Sequence, residues 1–350
     1  MIWLIKKTRI IRLIQSTILI SLITFSGCKE SNKYAVDVSD SEVEIKINRF
    51  EDDIFAIRST ADYIALDKLD SVFIRDYKRG IMGNETRDGF VPVEVSAKGL
   101  IEFVTYPDMV HLYNSVDSAY PNLTDIEAQL SDAFSYYHYY FPEKQIPKVY
   151  TVVTPFRSQV ISSQHAIGIC LDMYLGADFT PYQTPLMQFP QFIIKRFRKD
   201  YMVPNVMRGW VETEFQDTAN QNRLLDEIIY QGKILHALDR LLPETPDSLK
   251  IGYDYGKIEW CYKNEPQIWT HLIDQELLYN TNYRDYSGVL VEAPFSKGIN
   301  VPQDAPPKIA VWAGWQIVRK YMDKHPDVTL KALLSDFDND KILRESGYKP

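Results

Sequence analysis

Two stretches near the middle of the chain carry apolar residues at the three-and-four spacing of a buried helix face. In residues 205–215, Met207, Trp210 and Glu214 continue a stripe begun at Val203; in 223–242 the stripe is Leu224, Ile228, Gln231, Leu235, Leu238 and Leu242. The polar residues 216–222 join the two. Gln231 interrupts an otherwise apolar stripe, and an amide taken out of water costs roughly 1 to 3 kcal/mol unless it finds partners. Such a position is either a packing device or the remains of a site.

The patterning extends to both sides. Val43, Ile45 and Ile47 alternate with charged residues and predict a half-buried strand leading into Arg49-Phe50-Glu51. Helices are predicted over 62–79 and 108–119, with a loop over 80–89, and another opens at Thr124, where Thr124 and Glu127 fit a capping box. The β-branched run 148–153 and the runs 158–161 and 166–171, with 162–164 as a turn, predict a small sheet directly before the helix pair. Further on, 255–261 and 266–279 read as helices, and 280–307 has little periodicity, the mark of a functional loop or a cover over a groove. Pro306 and Pro307 stand at the start of a helix carrying Trp312 and Trp315, and Asp327 caps another that runs through Leu334. The fold class that follows is α+β, mostly helical, with a small antiparallel or mixed sheet packed on a helix pair, in a single domain over residues 41–350.

The N-terminus changes the picture. Lys6, Lys7, Arg9 and Arg12 precede a short apolar run, and Phe25-Ser26-Gly27-Cys28 closes it. The run is shorter than the roughly 20 residues that span a bilayer, so residues 1–27 read as a signal peptide. The tetrapeptide resembles a bacterial lipobox with Phe in place of the commoner Leu, which makes Cys28 the lipidated first residue of the mature protein. Several acyl chains, at about 0.8 kcal/mol per buried methylene, anchor stably where one does not. Polar residues 28–40 then serve as a tether, and the body belongs in the cell envelope, facing the periplasm rather than the cell surface. Removing the leader lowers the basic count from 39 to 35 against 47 acidic residues, a balance of −12. An acidic body excludes nucleic acid as the partner, since phosphate binding needs clustered Lys and Arg. The remaining thiols, Cys170 and Cys261, lie in apolar surroundings and read as two separate buried cysteines.

Familiar chemistry is missing. The six histidines, at 111, 138, 165, 236, 271 and 325, contain no pair at helical spacing, so no His-Glu-x-x-His zinc site exists. No Gly-x-Ser-x-Gly elbow or phosphate loop occurs either. Asp172, Asp226 and Glu227 could act as acid and base, which keeps a zinc- or carboxylate-dependent hydrolase as an alternative. The 23 Tyr and 6 Trp leave a glycan-binding lipoprotein as another, because aromatic faces stack on sugars.

Several long runs carry a resemblance. Ile167-Gly168-Ile169-Cys170-Leu171-Asp172-Met173-Tyr174-Leu175-Gly176, the segment 192–207 with Met202-Val203-Pro204, Leu224-Leu225-Asp226-Glu227-Ile228-Ile229-Tyr230-Gln231-Gly232-Lys233 and Val311-Trp312-Ala313-Gly314-Trp315-Gln316-Ile317-Val318-Arg319 together resemble the gliding-motility lipoprotein family GldB. Arg49-Phe50-Glu51 and Ser346-Gly347-Tyr348 also fit. The resemblance implies an envelope lipoprotein, an accessory or scaffold for gliding or secretion machinery with protein partners in the envelope. That family is in turn similar to predicted zinc peptidases. On that likeness Arg208-Gly209-Trp210-Val211-Glu212 stands where the metal-binding motif would be, with Gln231 at the third ligand position. Arg208, Glu212 and Gln231 then replace the three ligands and Gly209 the catalytic Glu, so the resemblance implies a degenerate zincin-like core, no metal, no cofactor and no catalysis. A Gln231 satisfied by neighbouring backbone predicts the same inactive protein.

Overall fold

The computed structural model describes residues 33–67, 77, 84–86, 89–91, 96–184, 187, 189–216, 222–298 and 301–350. The leader, Cys28 and most of the helix expected beyond Asp67 lie outside them. Strand β1 (Ile47–Arg49) passes into helices α1 (Phe50–Phe55) and α2 (Thr60–Asp67), followed by β2 (Asn84–Thr86), β3 (Gly89–Val91), α3 (Ala97–Thr105), α4 (Pro107–Ala119) and α5 (Thr124–Tyr140). Next come β4 (Lys148–Val152), β5 (Val160–Ser162), β6 (Ala166–Cys170), the single turn α6 (Gln191–Ile194) and the helix pair α7 (Met202–Glu214) and α8 (Leu224–Leu241). The rest is helical: α9 (Asp247–Ile251), α10 (Tyr255–Lys263), α11 (Glu265–Asp274), α12 (Tyr283–Leu290), α13 (Ile309–Lys324), α14 (Leu330–Leu334) and α15 (Asn339–Ser346). This is the α+β, mostly helical class expected, and residues from Val36 to Pro350 form one compact unit.

The sheet is mixed, in the order β1-β4-β6-β5, with β1, β4 and β6 parallel and β5 antiparallel to β6. All of β6 and residues 149–152 of β4 are buried, as central parallel strands covered on both faces must be. Helix α7 lies against β5 and β6, and α8 is held between α7 and α13. The crossing of α8 and α13 is unusually close. A Cβ on Gly232 would stand 2.5 Å from the Gly314 carbonyl oxygen, and one on Gly314 would stand 2.0 Å from that of Ile228. Trp210, Trp312 and Trp315 fill the core around that helix layer.

Five local expectations are corrected. Of the strand expected over 43–47 only Ile47 joins the sheet, as the first residue of β1. The backbone N–H groups of Val43, Ile45 and Ile47 instead donate to Ser135 Oγ, Ser131 Oγ and Glu127 Oε1 of α5, each at 2.9 Å. Two residues of extended chain advance about 6.6 Å and four residues of helix about 6 Å, so the repeats match and helix side chains take the place of a strand partner. Glu127 is thereby drawn away from the expected capping box; Leu123 is the N-cap and Thr124 is already helical. The loop expected over 80–89 contains β2 and the first residue of β3, an antiparallel pair whose three-residue strands are too short to show a period. The segment 280–307 contains α12, opened by Asn282, whose side chain accepts from the Arg284 N–H at 3.4 Å. Thr329, not Asp327, caps α14, its hydroxyl accepting from the Ala332 N–H at 3.1 Å.

Candidate functional site

Helix α9 is five residues long and ends at Gly252, in the left-handed region at φ 79°. Its last carbonyls have no intrahelical partner and attract cations. Three cations from three separate segments satisfy them in turn: Arg208 Nη2 donates to the Lys250 carbonyl at 3.2 Å, Lys308 Nζ to that of Ile251 at 2.7 Å, and Arg196 Nη1 to that of Gly252 at 3.3 Å. The helix end is itself fixed by the Lys250 side chain, whose Nζ donates at 3.0 Å to the buried Asp239 on α8. Asp239 also accepts from Trp315 Nε1 at 3.0 Å and from Arg319 at 2.7 and 2.8 Å. Burial alone would raise the Asp239 carboxyl, but His236 3.6 Å away, hydrogen bonds from Arg319 and the charges of Arg319 and Lys250 hold it well below the usual carboxylate range.

The three cations face a cleft of about 240 Å³ whose other walls include Gln159, Asn205 and Glu292. Glu292, which follows α12, bridges two of the cations: it accepts from Lys308 at 2.8 Å and pairs with Arg196. Lys308 sits at φ 55°, a costly conformation for a side chain with a Cβ. The backbone before it is pinned on both sides, since Ser296 Oγ donates to the Pro306 carbonyl at 2.6 Å and the Tyr253 hydroxyl donates to that of Pro307. Burial pushes the Lys308 ammonium down to about 8, helped by Arg208 and Arg196 and opposed by Glu292.

Of the four positions singled out on α7 and α8, the fold brings three together. Arg208 Nη1 donates to Gln231 Oε1 at 3.4 Å and lies 3.9 Å from Glu212 Oε1. Burial pushes the Glu212 carboxyl up and the Arg208 guanidinium down. Gly209 faces the sheet instead, where a Cβ would meet Val160 Cγ1 of β5 at 3.3 Å. Among the described residues, no three His, Cys, Asp or Glu side chains gather as they would around a metal ion. Sequence reasoning missed Arg196, Glu292 and Lys308; the one available signal was a lysine directly after Pro306-Pro307 at a helix start.

A family model described as gliding motility protein GldB matches residues 31–350. The chain belongs to the GldB family. No curated protein and no solved structure matches it. Membership makes the protein a gliding-motility-related lipoprotein, with the envelope location that the family name carries. Among the described residues, no helix is long and apolar enough to cross a membrane.

The carboxylates considered as an acid and base pair in this GldB-family chain have separate duties. Asp172 is fully buried and accepts from the Thr154 N–H at 3.0 Å and the Phe156 N–H at 2.6 Å, holding a turn in which Phe156 has φ 63°. Asp226 closes the start of α8 with Arg223 at 2.8 Å and Asn339 at 3.0 Å, while Glu227 is exposed. Cys170 and Cys261 are both free and buried, as expected.

Proposed function

We propose that this protein is a non-catalytic envelope lipoprotein, processed after residue 27, lipidated at Cys28 and facing the periplasm, that serves gliding or secretion machinery as an accessory or scaffold component. In this reading Arg208, Gly209, Glu212 and Gln231 occupy the positions of a zincin-like metal site that has lost its ligands. The observation that carries it is the pairing of Arg208 with Gln231 between α7 and α8, because a guanidinium has no lone pair for a cation and repels one. The match to a gliding-motility family over 320 residues, 31–350, supports the setting.

Elemental analysis of the full-length protein, purified in detergent without chelator or metal-affinity resin, tests the loss of the metal site. No zinc is expected before or after zinc is added, and near-stoichiometric zinc would restore the hydrolase reading. The anchor is tested by Cys28→Ala, which should leave the membrane fraction; a variant that stayed there and kept full function would refute lipid attachment at this residue.

A further inference from the structure

The cleft described above holds more positive than negative charge. Arg196, Arg208 and Lys308 face it; the carboxylates paired with them are Glu292, in its wall, and Glu212, outside its lining and 3.9 Å from Arg208. The carboxylates are shared unevenly. Glu292 contacts both Arg196 and Lys308, whereas among the described residues Arg208 has Glu212 nearest, at 3.9 Å and beyond hydrogen-bonding distance, with Glu292 acting on it from farther away. Among the described residues Arg208 makes two hydrogen bonds, at 3.2 and 3.4 Å, which are long for a guanidinium and leave donors over.

The cations are held from behind. Backbone carbonyls of residues 250, 251 and 252 fix their positions, so the ligand does not have to order them, and preorganised donors of this kind bind at reduced entropic cost. The conformation of Gly252 is part of the device. A side chain there would place its Cβ 2.9 Å from Arg196 Nη1 and 3.8 Å from Lys308 Nζ.

We infer that this cleft binds a carboxylate, with Arg208 as the principal donor and Lys308 and Arg196 completing the charge. A single negative charge balances three cations against two carboxylates, whereas a phosphate, at about −1.5 to −2, overshoots. A volume of about 240 Å³ admits one small residue or a short carboxylic acid rather than an extended ligand. Gln159 and Asn205 supply neutral polar contacts at the walls. The carboxylate could belong to a free small acid or to the C-terminus of a chain. The inference goes beyond the scaffold reading and holds whether or not the site once carried a metal.

The test is binding by calorimetry and by ligand-induced thermal shift on the full-length protein in detergent, at constant ionic strength with chloride as the reference. The probes are acetate, inorganic phosphate and a short peptide with a free or an amidated C-terminus. Acetate should bind saturably, and Arg208→Gln should weaken it by about tenfold or more, with Arg208→Lys retaining part of the affinity. A peptide that outbinds acetate and fails when amidated identifies a chain terminus as the source; acetate that binds where neither peptide does identifies a small acid, and an amidated peptide that binds as well as acetate would overturn carboxylate recognition. Lys308→Met is the second variant and keeps the test open if Arg208→Gln does not fold. No saturable acetate binding by the wild-type protein, tighter binding of phosphate, or an affinity unchanged in both neutral variants would overturn the inference.

Discussion

Substituting alanine for Gly314 adds one methyl group where there is no room for it. The new Cβ would lie 2.0 Å from the Ile228 carbonyl oxygen, 2.6 Å from its carbon and 2.8 Å from the Ile228 Cβ. Ordinary contact is nearer 3.5 Å, so α13 must move away from α8 by a distance on the order of 1 Å. Neither neighbour can turn aside, because the obstacle is helix backbone. The move carries Trp312, Trp315, Ile317 and Val318 with it, all fully buried, and a gap of that size forfeits about a quarter to a half of each contact across it. Overpacking usually costs about 1 to 3 kcal/mol, and a backbone obstacle places this site at the upper end. The better helix propensity of alanine returns about 1 kcal/mol, leaving a net loss of about 2 kcal/mol or more. Gly209→Ala is the internal control. Its Cβ meets only the side chain of Val160, on an edge strand at 3.3 Å, so the propensity gain should offset the contact and leave stability within about 0.5 kcal/mol of the wild type. Urea unfolding followed by tryptophan fluorescence reads both, with a lower midpoint and unchanged slope for Gly314→Ala. A midpoint for Gly314→Ala equal to or above the wild type, or below it by no more than that of Gly209→Ala, would refute the close crossing.

Asp239→Asn removes the fully buried one of the two carboxylates that Arg319 and Lys250 share and leaves them Asp247, so it should cost about 3 kcal/mol, the lower end for a broken buried pair, by thermal or urea unfolding at pH 7. Because the folded carboxyl is held below its unfolded value, its contribution is present above about pH 4 and is lost as pH falls toward the folded value, so the variant should show a flatter acid limb. Asp172→Asn should cost about 1 to 3 kcal/mol and speed hydrogen exchange at Phe156, since the amide is a weaker acceptor for the two N–H groups of a turn with unfavourable φ; unchanged exchange would show that the turn stands without it. Carboxylate binding should weaken as pH rises through about 8, where Lys308, facing Glu292, Arg208, Arg196 and the Tyr253 ring, gives up its proton. The same group makes the free protein more stable between about 8 and its unfolded value near 10.4, since the unfolded chain binds more protons over that window, and a binding curve flat from pH 7 to 9 would exclude Lys308 from the site.

What could be read from the sequence is what repeats. The stripes on α7 and α8 gave both helices to within a few residues, because Val203, Met207 and Trp210 and then Leu224, Ile228, Leu235 and Leu238 are all fully or nearly fully buried. The strands at 148–153 and 166–171 stood out because a central strand buried on both faces is continuously apolar. Illegible elements were those stabilised by something other than period. The extended residues 43–47 owe their hydrogen bonds to Ser131, Ser135 and Glu127, more than 80 positions away except for one bond at a separation of 80. Helix α12 is two turns long and shows too few positions for a stripe. Gly232 and Gly314 look like weak points in helices until the crossing is seen, where they are what allows the backbones to touch.

The site was half legible for the same reason. Gln231 could be picked out as a polar residue in an apolar stripe, whereas Arg208 and Glu212 were singled out by the resemblance to zinc peptidases, and as i and i+4 neighbours they share a side of α7. Arg196, Glu292 and Lys308 come from a short turn, a segment between helices and a helix start, and no local rule relates them. What relates them is a five-residue helix ended by glycine, whose last carbonyls need donors and can be reached from three directions. A helix that short contributes little stability of its own, so its position depends on Lys250 reaching Asp239 in the core beneath. The cleft is therefore coupled to the buried network: loosening Asp239 frees the helix end, and the three cations lose the scaffold that sets their spacing. Asp239→Asn should accordingly weaken acetate binding although Asp239 does not line the cleft, whereas Asp172→Asn, which disturbs a different turn, should leave it unchanged.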